Sequence, residues 1–213
     1  MDTLLRHVIV FPLAYLAGAF PTGYLVVRAF TGIDVRRVGS GRTGGTNVLR
    51  SAGTLPAVLT VLGDGLKGGL GVLLARALGH TPLALAIAGV AAILGHNYSV
   101  FLGWDGGAGT ITTIGVALFI NPLVGAAAIV IGIAVLALSR YASLASIAVA
   151  LSLPILFAAG AHWGGLPAIY CLYAAIGGLI SIVELRPNIA RLLAGKERKL
   201  GRLLTGVPSV APK

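Results

Sequence analysis

Two glycine-rich segments of the sequence combine backbone freedom with donors that suit an anion. The first reads GSGRTGGTN at 39–47 and contains Arg42, and Arg50 follows shortly after it. Glycines let consecutive backbone N–H groups form a concave nest for an anion, and an arginine fork matches phosphate oxygens. On composition, the segment fits equally well a phosphate-binding surface and a flexible loop whose arginines only set membrane orientation.

The second segment, GHNYSVFLGWDGGAG at 95–109, leads directly into a short apolar stretch that begins at Thr110. A helix that starts after glycines presents free N–H groups, which bind anions. Asp105 argues mildly against an anion beside it, and a re-entrant turn packed by glycine is the alternative. His96 fits a base, a ligand or a hydrogen-bonded core residue, and a lone histidine favours the last of these.

Four more polar residues lie in apolar stretches. Asp64 and Lys67 are three residues apart, so they lie on one helix face and can pair. Ionisable groups within a span are costly and face the bundle interior, so the pair is either functional or a structural ion pair. Ser143 and Ser146 are also at helical spacing, and they donate either to a phosphate or to their own backbone.

The elements that must position these residues are membrane helices. The chain has 213 residues, of which 57% are hydrophobic and 10% charged, and its mean hydropathy is +0.95, far outside the range of soluble proteins. No His, Asp or Glu cluster has metal-ligand spacing, and the single cysteine, Cys171, excludes an intrachain disulfide. The first apolar stretch lacks the features of a signal peptide, so we interpret it as a retained span.

Spanning a bilayer as a helix takes about 20 apolar residues. The sequence therefore predicts an all-α polytopic membrane protein with a single membrane domain, 1–213, and about seven transmembrane segments. The predicted segments are 7–29, 55–79, 82–103, a half-helix at 110–120, 122–139, 141–160 and 166–185.

The basic residues predict the orientation of the chain. The formal net charge is +10, and cytoplasmic loops carry the excess of Lys and Arg. The charges that fall on one side are Arg28, Arg36, Arg37, Arg42, Arg50, Arg140 and the basic tail 186–213. We therefore expect the N-terminus, His80 and His162 outside, and the C-terminus and both glycine-rich segments in the cytoplasm. Anionic lipid headgroups or an anionic substrate fit this charge better than nucleic acid.

Four stretches together resemble the acyl-phosphate-dependent glycerol-3-phosphate acyltransferase family of bacterial membranes. They are AYLAGAFPTGYLV with GIDVRRVGSGRTGGTNVLR, then GDGLKGG, GHNYSVFLGWDGGAG and RPNIARLLAGKERK, in the family's order over nearly the whole chain. The resemblance implies acyl transfer from acyl phosphate to the sn-1 hydroxyl of glycerol 3-phosphate, giving lysophosphatidic acid for phospholipid biosynthesis. It also implies a multi-pass protein of the cell inner membrane, surrounded by membrane lipids, with its active site on the cytoplasmic side.

The resemblance further implies that no metal or cofactor takes part, and it makes an upstream acyl-phosphate-producing enzyme a candidate partner. The predicted catalytic residues are Ser40, Arg50 and Lys67. The predicted substrate-binding residues are Gly41, Arg42, Thr46, Asn47, His96, Gly106, Gly107, Gly109, Ser143, Ser146 and Asn188.

Several positions depart from the family's motifs, among them Ser99 in place of a proline and Thr110-Ile111-Thr112 in place of V-A-T, and three of the departures replace a polar or charged residue of the family. Ala108 stands in place of a loop lysine, Leu185 in place of a histidine, and Arg42 in place of an asparagine. Arg42, in the first glycine-rich segment, could supply the positive charge that the second segment lacks at Ala108. The alternative function is a catalytically silent paralogue that binds a phosphorylated lipid or regulates an active acyltransferase. A small-solute transporter fits the one-sided clustering of polar loops less well.

Overall fold

A computed structural model of the chain describes residues 3–78 and 81–200, with the backbone alone for residues 3–7. The described residues contain no strand, which confirms the all-α prediction. The helices are α1 (Thr3–Ala19), α2 (Thr22–Thr31), α3 (Gly45–Ala52), α4 (Thr54–Leu78), α5 (Pro82–Asn97), α6 (Thr110–Ile120), α7 (Pro122–Ser139), α8 (Ala142–Gly164), α9 (Ile169–Glu184) and α10 (Arg186–Leu193). Short 3-10 turns occupy Val35–Arg37 and Val100–Leu102.

Within the described ranges, 5 helical segments are long and apolar enough to cross a membrane. They are Val8–Thr31, Thr54–Leu78, Pro82–Leu102, Pro122–Ser139 and Ala142–Gly164. A sixth is formed by α9 and α10 if this pair, bent by 62°, counts as one span. The α6 helix is shorter, as the sequence predicts for a half-helix. The total of seven segments, the single domain and the orientation of the termini stay predictions.

Two differences from the sequence-based helix boundaries bear on the site. The stretch predicted as one helix at 7–29 is broken, since Pro21 has no N–H and cannot continue α1 beyond Ala19. The segment 39–47, predicted as a loop, becomes helical at Gly45, where α3 begins. Gly45, Thr46 and Asn47 therefore belong to the first turn of a helix and not to a free loop.

Small residues allow the helices of the bundle to approach closely. A Cβ on Gly18 of α1 would lie 2.1 Å from the carbonyl oxygen of Ala92 in α5. A Cβ on Gly115 of α6 would likewise lie 2.1 Å from the carbonyl oxygen of Gly65 in α4. Such close contacts are typical of membrane helices, in which van der Waals packing replaces the hydrophobic effect. The outer face of α7 is apolar and open, with Leu138 87% exposed, as expected of a lipid-facing helix.

The polar segments gather at one end of this bundle. The end of α5, the start of α6 and the junction of α9 with α10 all lie there, and the segment 32–44 packs against them. The chain after α10 returns to the same end, where the backbone N–H of Leu200 donates to the Arg140 carbonyl over 2.7 Å. The helices thus present their glycine-rich connections and most of their arginines together.

Candidate active site

The two glycine-rich segments are in direct contact. The backbone N–H of Thr43 donates to the carbonyl oxygen of Gly106 over 3.2 Å. The second segment lies flat on the end of α5, because Gly107 N–H donates to the His96 carbonyl over 3.2 Å. A Cβ on Gly106 would lie 2.1 Å from that same carbonyl oxygen. The absence of a side chain at Gly106 is therefore what lets the second segment lie this close to the end of α5.

The side chain of Asn47 organises the first segment from within. It is 2% exposed, and its Nδ2 donates to the carbonyls of Val35, Val38 and Arg42 at 3.2, 3.1 and 2.9 Å. Its Oδ1 accepts from the backbone N–H of Ser40 over 2.9 Å. In this structure Asn47 binds the loop backbone, whereas Ser40 is exposed beside it.

The helix α3 places Thr46 and Arg50 on the rim of the site, both half-buried. Its N-cap is Gly44, which offers no side-chain cap to the first N–H groups. Burial and the nearby Arg198 lower the pKa of the Arg50 guanidinium, while Glu197 acts in the opposite direction. An arginine keeps its charge despite such a shift, so Arg50 remains a cation next to the tail segment.

Arg42 reaches the junction of α9 and α10. Its guanidinium donates to Oδ1 of Asn188 over 2.9 Å and to the carbonyl oxygen of Glu184. Burial lowers the pKa of Arg42, and the carboxylate of Glu184 opposes that effect. From the sequence, we expected this arginine to turn towards Ala108 in the second glycine-rich segment. The structure corrects this, because the guanidinium binds the backbone and side chain on either side of the buried Leu185.

Glu197 holds the tail segment against the bundle, and the sequence analysis did not select it. Its Oε1 accepts from Asn188 Nδ2 at 2.9 Å and from Ser143 Oγ at 3.2 Å, and its Oε2 accepts from Arg191 Nε at 2.8 Å. Burial by itself raises the pKa of Glu197, but the hydrogen bonds from Asn188 and Arg191 outweigh it, and the pKa is lowered. The feature of the sequence that could have indicated Glu197 is its position as a single acidic residue among the basic residues of GKERK, 195–199.

Ser143 and Asn188 are therefore brought together through one carboxylate. Ser146 lies one turn further along α8, half-buried on the same face as Ser143. Asn188 links two groups at once, because its Oδ1 accepts from Arg42 while its Nδ2 donates to Glu197. Ser143 of α8, Asn188 of α10 and Arg42 of the first glycine-rich segment thus form one connected polar network through Glu197.

A second network is buried beneath the second glycine-rich segment. The prediction that Asp64 and Lys67 pair is confirmed, since Lys67 Nζ lies 2.9 Å from Asp64 Oδ1. The ammonium also donates to the Phe20 carbonyl over 2.9 Å, at the break between α1 and α2. His96 Nδ1 lies 3.6 Å from Asp64 Oδ1, and a Cβ on Gly107 would lie 2.0 Å from His96 Nε2. This network supports the segment from below.

The arrangement is suited to a phosphate. Arg42 and Arg50 both lie close enough to Arg191 and Glu197 to interact with them electrostatically. In the second glycine-rich segment, α6 begins after Gly109, whose φ of +80° is left-handed and favours glycine. Cations and fixed dipoles aimed at a bound anion stabilise charge that develops in a transition state. Among the described residues no group of three or more His, Cys, Asp or Glu could hold a metal ion.

Comparisons with known proteins agree with this geometry. A sequence model of the family "Glycerol-3-phosphate acyltransferase" matches residues 8–195. Glycerol-3-phosphate acyltransferase 2 of Moorella thermoacetica is 45% identical over 188 residues, covering 88% of this chain and 94% of that protein. The glycerol-3-phosphate acyltransferase of Desulforudis audaxviator is 44% identical over 195 residues, covering 92% and 96%.

Solved structures agree as well. The crystal structure of PlsY, an integral membrane glycerol 3-phosphate acyltransferase, in its glycerol 3-phosphate form, has a TM-score of 0.85 and 35% identity, over 94% of this chain and 99% of that one. Its lysophosphatidic acid form has a TM-score of 0.82 and 33% identity over the same shares. These matches extend along almost the whole length of both aligned chains. The chain therefore belongs to the glycerol-3-phosphate acyltransferase family.

Proposed function

We propose that this member of the family transfers an acyl group from acyl phosphate to the sn-1 hydroxyl of glycerol 3-phosphate, giving lysophosphatidic acid. The observation that supports it most directly is the direct contact of the two glycine-rich segments, of which the first contains Arg42 and is followed closely by Arg50. A catalytically silent paralogue is not favoured, because relatives 41–45% identical over about nine tenths of this chain are named as the acyltransferase.

The reaction forms an ester bond between the hydroxyl oxygen and the carbonyl carbon of the donor, and it breaks the bond between that carbon and the phosphate oxygen. The hydroxyl proton leaves with the released inorganic phosphate. Two anionic phosphates must therefore lie close together while charge builds up on the carbonyl oxygen. Cations and N–H groups fixed in place before the reaction lower the cost of that charge.

The site residues take the following parts in this proposal. Arg50 and the exposed Ser40 contact substrate phosphate, with Arg42 and Thr46 beside them. The backbone at Gly41, Gly106, Gly107 and Gly109 provides close approach and N–H groups. Asn47, Asn188, Ser143 and Ser146 hold or line this surface. Lys67 and His96 support the site from beneath the second glycine-rich segment, where the Lys67 ammonium binds Asp64 and the Phe20 carbonyl.

We place this site on the cytoplasmic face of the cell inner membrane, where an upstream enzyme supplies the acyl phosphate. The support is the concentration of arginines at the site's end of the bundle. His162 of α8 then lies at the opposite, external end. His80 and the last part of the basic tail, 201–213, lie outside the described residues.

The direct test is to supply purified protein with acyl phosphate and glycerol 3-phosphate and to measure lysophosphatidic acid by mass spectrometry. We expect Arg50→Ala to lower kcat/KM by about a hundredfold, since it removes a fixed cation from the site. Arg28→Ala, an exposed arginine at the end of α2, is the matched control. No product from the wild-type protein at high concentration would overturn the proposal and favour the silent paralogue.

A further inference from the structure

The first half of the second glycine-rich segment contains a turn, 99–104, that hydrogen bonds fix in place. The hydroxyl of Ser99 donates to the Ala19 carbonyl at the end of α1 over 2.6 Å. Arg36 Nη1 donates to the Leu102 carbonyl over 3.0 Å, and the backbone N–H of Trp104 closes the turn on the Ser99 carbonyl over 2.8 Å. Because these bonds hold the turn at both ends and in the middle, its side chains have a fixed direction.

Three apolar side chains of the 99–104 turn are nevertheless exposed. The exposed fractions of Val100, Phe101 and Trp104 are 44%, 58% and 63%, whereas Leu102 between them is buried. Trp104 also has a φ of +71°, a left-handed conformation that bulky residues rarely adopt. Such conformations cluster at ligand-binding and switch regions, where the surrounding structure imposes them. Grouped apolar side chains that stay exposed mark contact with a membrane or with another protein.

The position of the 99–104 turn along its span favours the membrane as the partner. The span Pro82–Leu102 has 21 residues, and about 20 residues cross the hydrocarbon layer as a helix. The last residues of this span belong to the turn, so they lie where the hydrocarbon layer meets the phospholipid headgroups. Tryptophan is enriched at this level, because its ring has an apolar body and a polar N–H.

A cation beside the turn fits the phosphates of those headgroups. Arg36, which binds the turn, pairs with Asp34 over 2.8 Å and is also within electrostatic range of Asp105. The next residue, Arg37, is exposed. An arginine near the end of a span extends its charged head to the interface while its stem stays on apolar surface, and its guanidinium matches phosphate oxygens.

The turn continues directly into the glycines that meet the first segment. After Asp105, the Gly106 carbonyl accepts from the backbone N–H of Thr43, and the Gly107 N–H donates to the His96 carbonyl, both over 3.2 Å. The backbone of 105–109 is therefore held on one side by the 99–104 turn and on the other by the start of α6.

We propose that the 99–104 turn is a lipid anchor. Phe101 and Trp104 insert among the phospholipid headgroups of the leaflet at this end of the bundle, and Arg37 binds a headgroup phosphate. The membrane thereby holds the second glycine-rich segment in position. This surface lies outside the groups that contact substrate in the proposed function, and it does not depend on that function.

Tryptophan fluorescence of the full chain in lipid nanodiscs tests the insertion. The chain has 2 tryptophans, so Trp163→Phe leaves Trp104 as the fluorophore. Phospholipids brominated on the acyl chain near the headgroup should quench its emission about twofold or more, and those brominated at the chain end should quench it less. Iodide in the buffer should quench it little. The control is Lys196→Trp with both native tryptophans changed to Phe. It places the ring at an exposed position after α10, where iodide should quench more than bromine.

Hydrogen exchange in nanodiscs tests whether the membrane holds the segment. The double variant Phe101→Ser with Trp104→Ser should exchange the amides of 105–109 about tenfold faster than wild type, because the segment opens more often. Leu193→Ser, which removes an apolar side chain that is 86% exposed at the end of α10, should exchange like wild type.

Two outcomes would overturn the proposal. The first is strong quenching of Trp104 by iodide without an effect of bromine, which would show a turn that faces water and suits a soluble protein partner. The second is equal exchange of 105–109 in the double variant and in wild type. Neither measurement needs turnover, so a protein that forms no lysophosphatidic acid would contradict the proposed function and leave the test of the anchor intact.

Discussion

The Lys67 ammonium lies 2.9 Å from the Phe20 carbonyl oxygen, so a cation on α4 fastens the break between α1 and α2. The same ammonium neutralises Asp64, whose carboxylate is next to His96 under the second glycine-rich segment. One buried ion pair therefore connects the broken span to the floor of the site.

Removing this cation should destabilise the protein. Lys67→Met leaves the Asp64 carboxylate buried without its partner, a change that costs about 3–5 kcal/mol in comparable pairs. Thermal unfolding in detergent should show the loss, and the double variant Lys67→Met with Asp64→Asn should recover part of it. Lys199→Met, at an exposed position, is the control. Equal stability of Lys67→Met and wild type would contradict the assigned role.

Glu197 should make the stability of the protein depend on acid pH. Its pKa is lowered in the folded state, so the carboxylate stabilises the fold above the ordinary glutamate pKa and loses this effect as pH falls through the folded pKa. The Tm of wild type should exceed that of Glu197→Gln at neutral pH, and the difference should shrink below the ordinary glutamate range. A Tm difference that stays constant down to acid pH would argue against the hydrogen-bonded carboxylate.

Arg42 should supply a cation on which activity depends. We expect Arg42→Ala to weaken activity or phosphate-ligand binding tenfold or more, which is about 1.4 kcal/mol. Ala108→Lys in that background should restore part of the loss, by returning a cation to the neighbouring segment. Steady-state kinetics with both substrates provides the measurement. Unchanged binding in a folded Arg42→Ala protein would show that the Arg42 guanidinium contributes no cation to phosphate binding.

Gly107 should tolerate no side chain. A Cβ there would lie 2.0 Å from His96 Nε2, so either the segment or the buried histidine must move. Overpacking of this kind typically costs 1–3 kcal/mol, and we expect Gly107→Ala to lower both Tm and kcat/KM. Gly164→Ala is the matched control, because no atom lies within 4 Å of a Cβ at that helical glycine. Wild-type activity in Gly107→Ala would show that the segment moves freely.

The orientation of the chain can be tested by cysteine labelling in a Cys171→Ala background. We expect a cysteine at His162 to react with an impermeant reagent added to intact cells. A cysteine at Lys196 should react only after the membrane is opened, since we place that segment in the cytoplasm. Labelling of the Lys196 position from outside would reverse the orientation and move the proposed site to the other face.

Much of the fold could be predicted from the sequence because long apolar runs leave few alternatives. Helix α7 was predicted with the same bounds that the structure shows, 122–139. The three-residue spacing of Asp64 and Lys67 was enough to predict their pairing. The break at Pro21 was not predicted, because apolar character continues across it. The helical start at Gly45 was also missed, since glycine disfavours helix in isolation and only packing against α4 overrides that preference.

The site was harder to predict than the fold because its geometry depends on contacts between distant residues. The direction of Arg42 depends on a carbonyl and an amide 142 and 146 residues away, which no local pattern encodes. Glu197 was missed for the same reason, since its partners Ser143 and Asn188 come from two other helices. Residue types could identify the candidates, whereas the tertiary fold decides which of them meet.

The return of the chain to Arg140 has a practical consequence for protein engineering. Backbone pairing of Leu200 with Arg140 and the carboxylate of Glu197 fasten the segment after α10 to the rest of the bundle. A shortened protein, or one fused to a purification tag or fluorescent reporter, should therefore retain every residue through Leu200. A join placed at Gly195 would remove or displace Glu197, whose carboxylate holds Asn188 and Ser143 together. A loss of activity in such a protein would then be mistaken for a property of the enzyme itself.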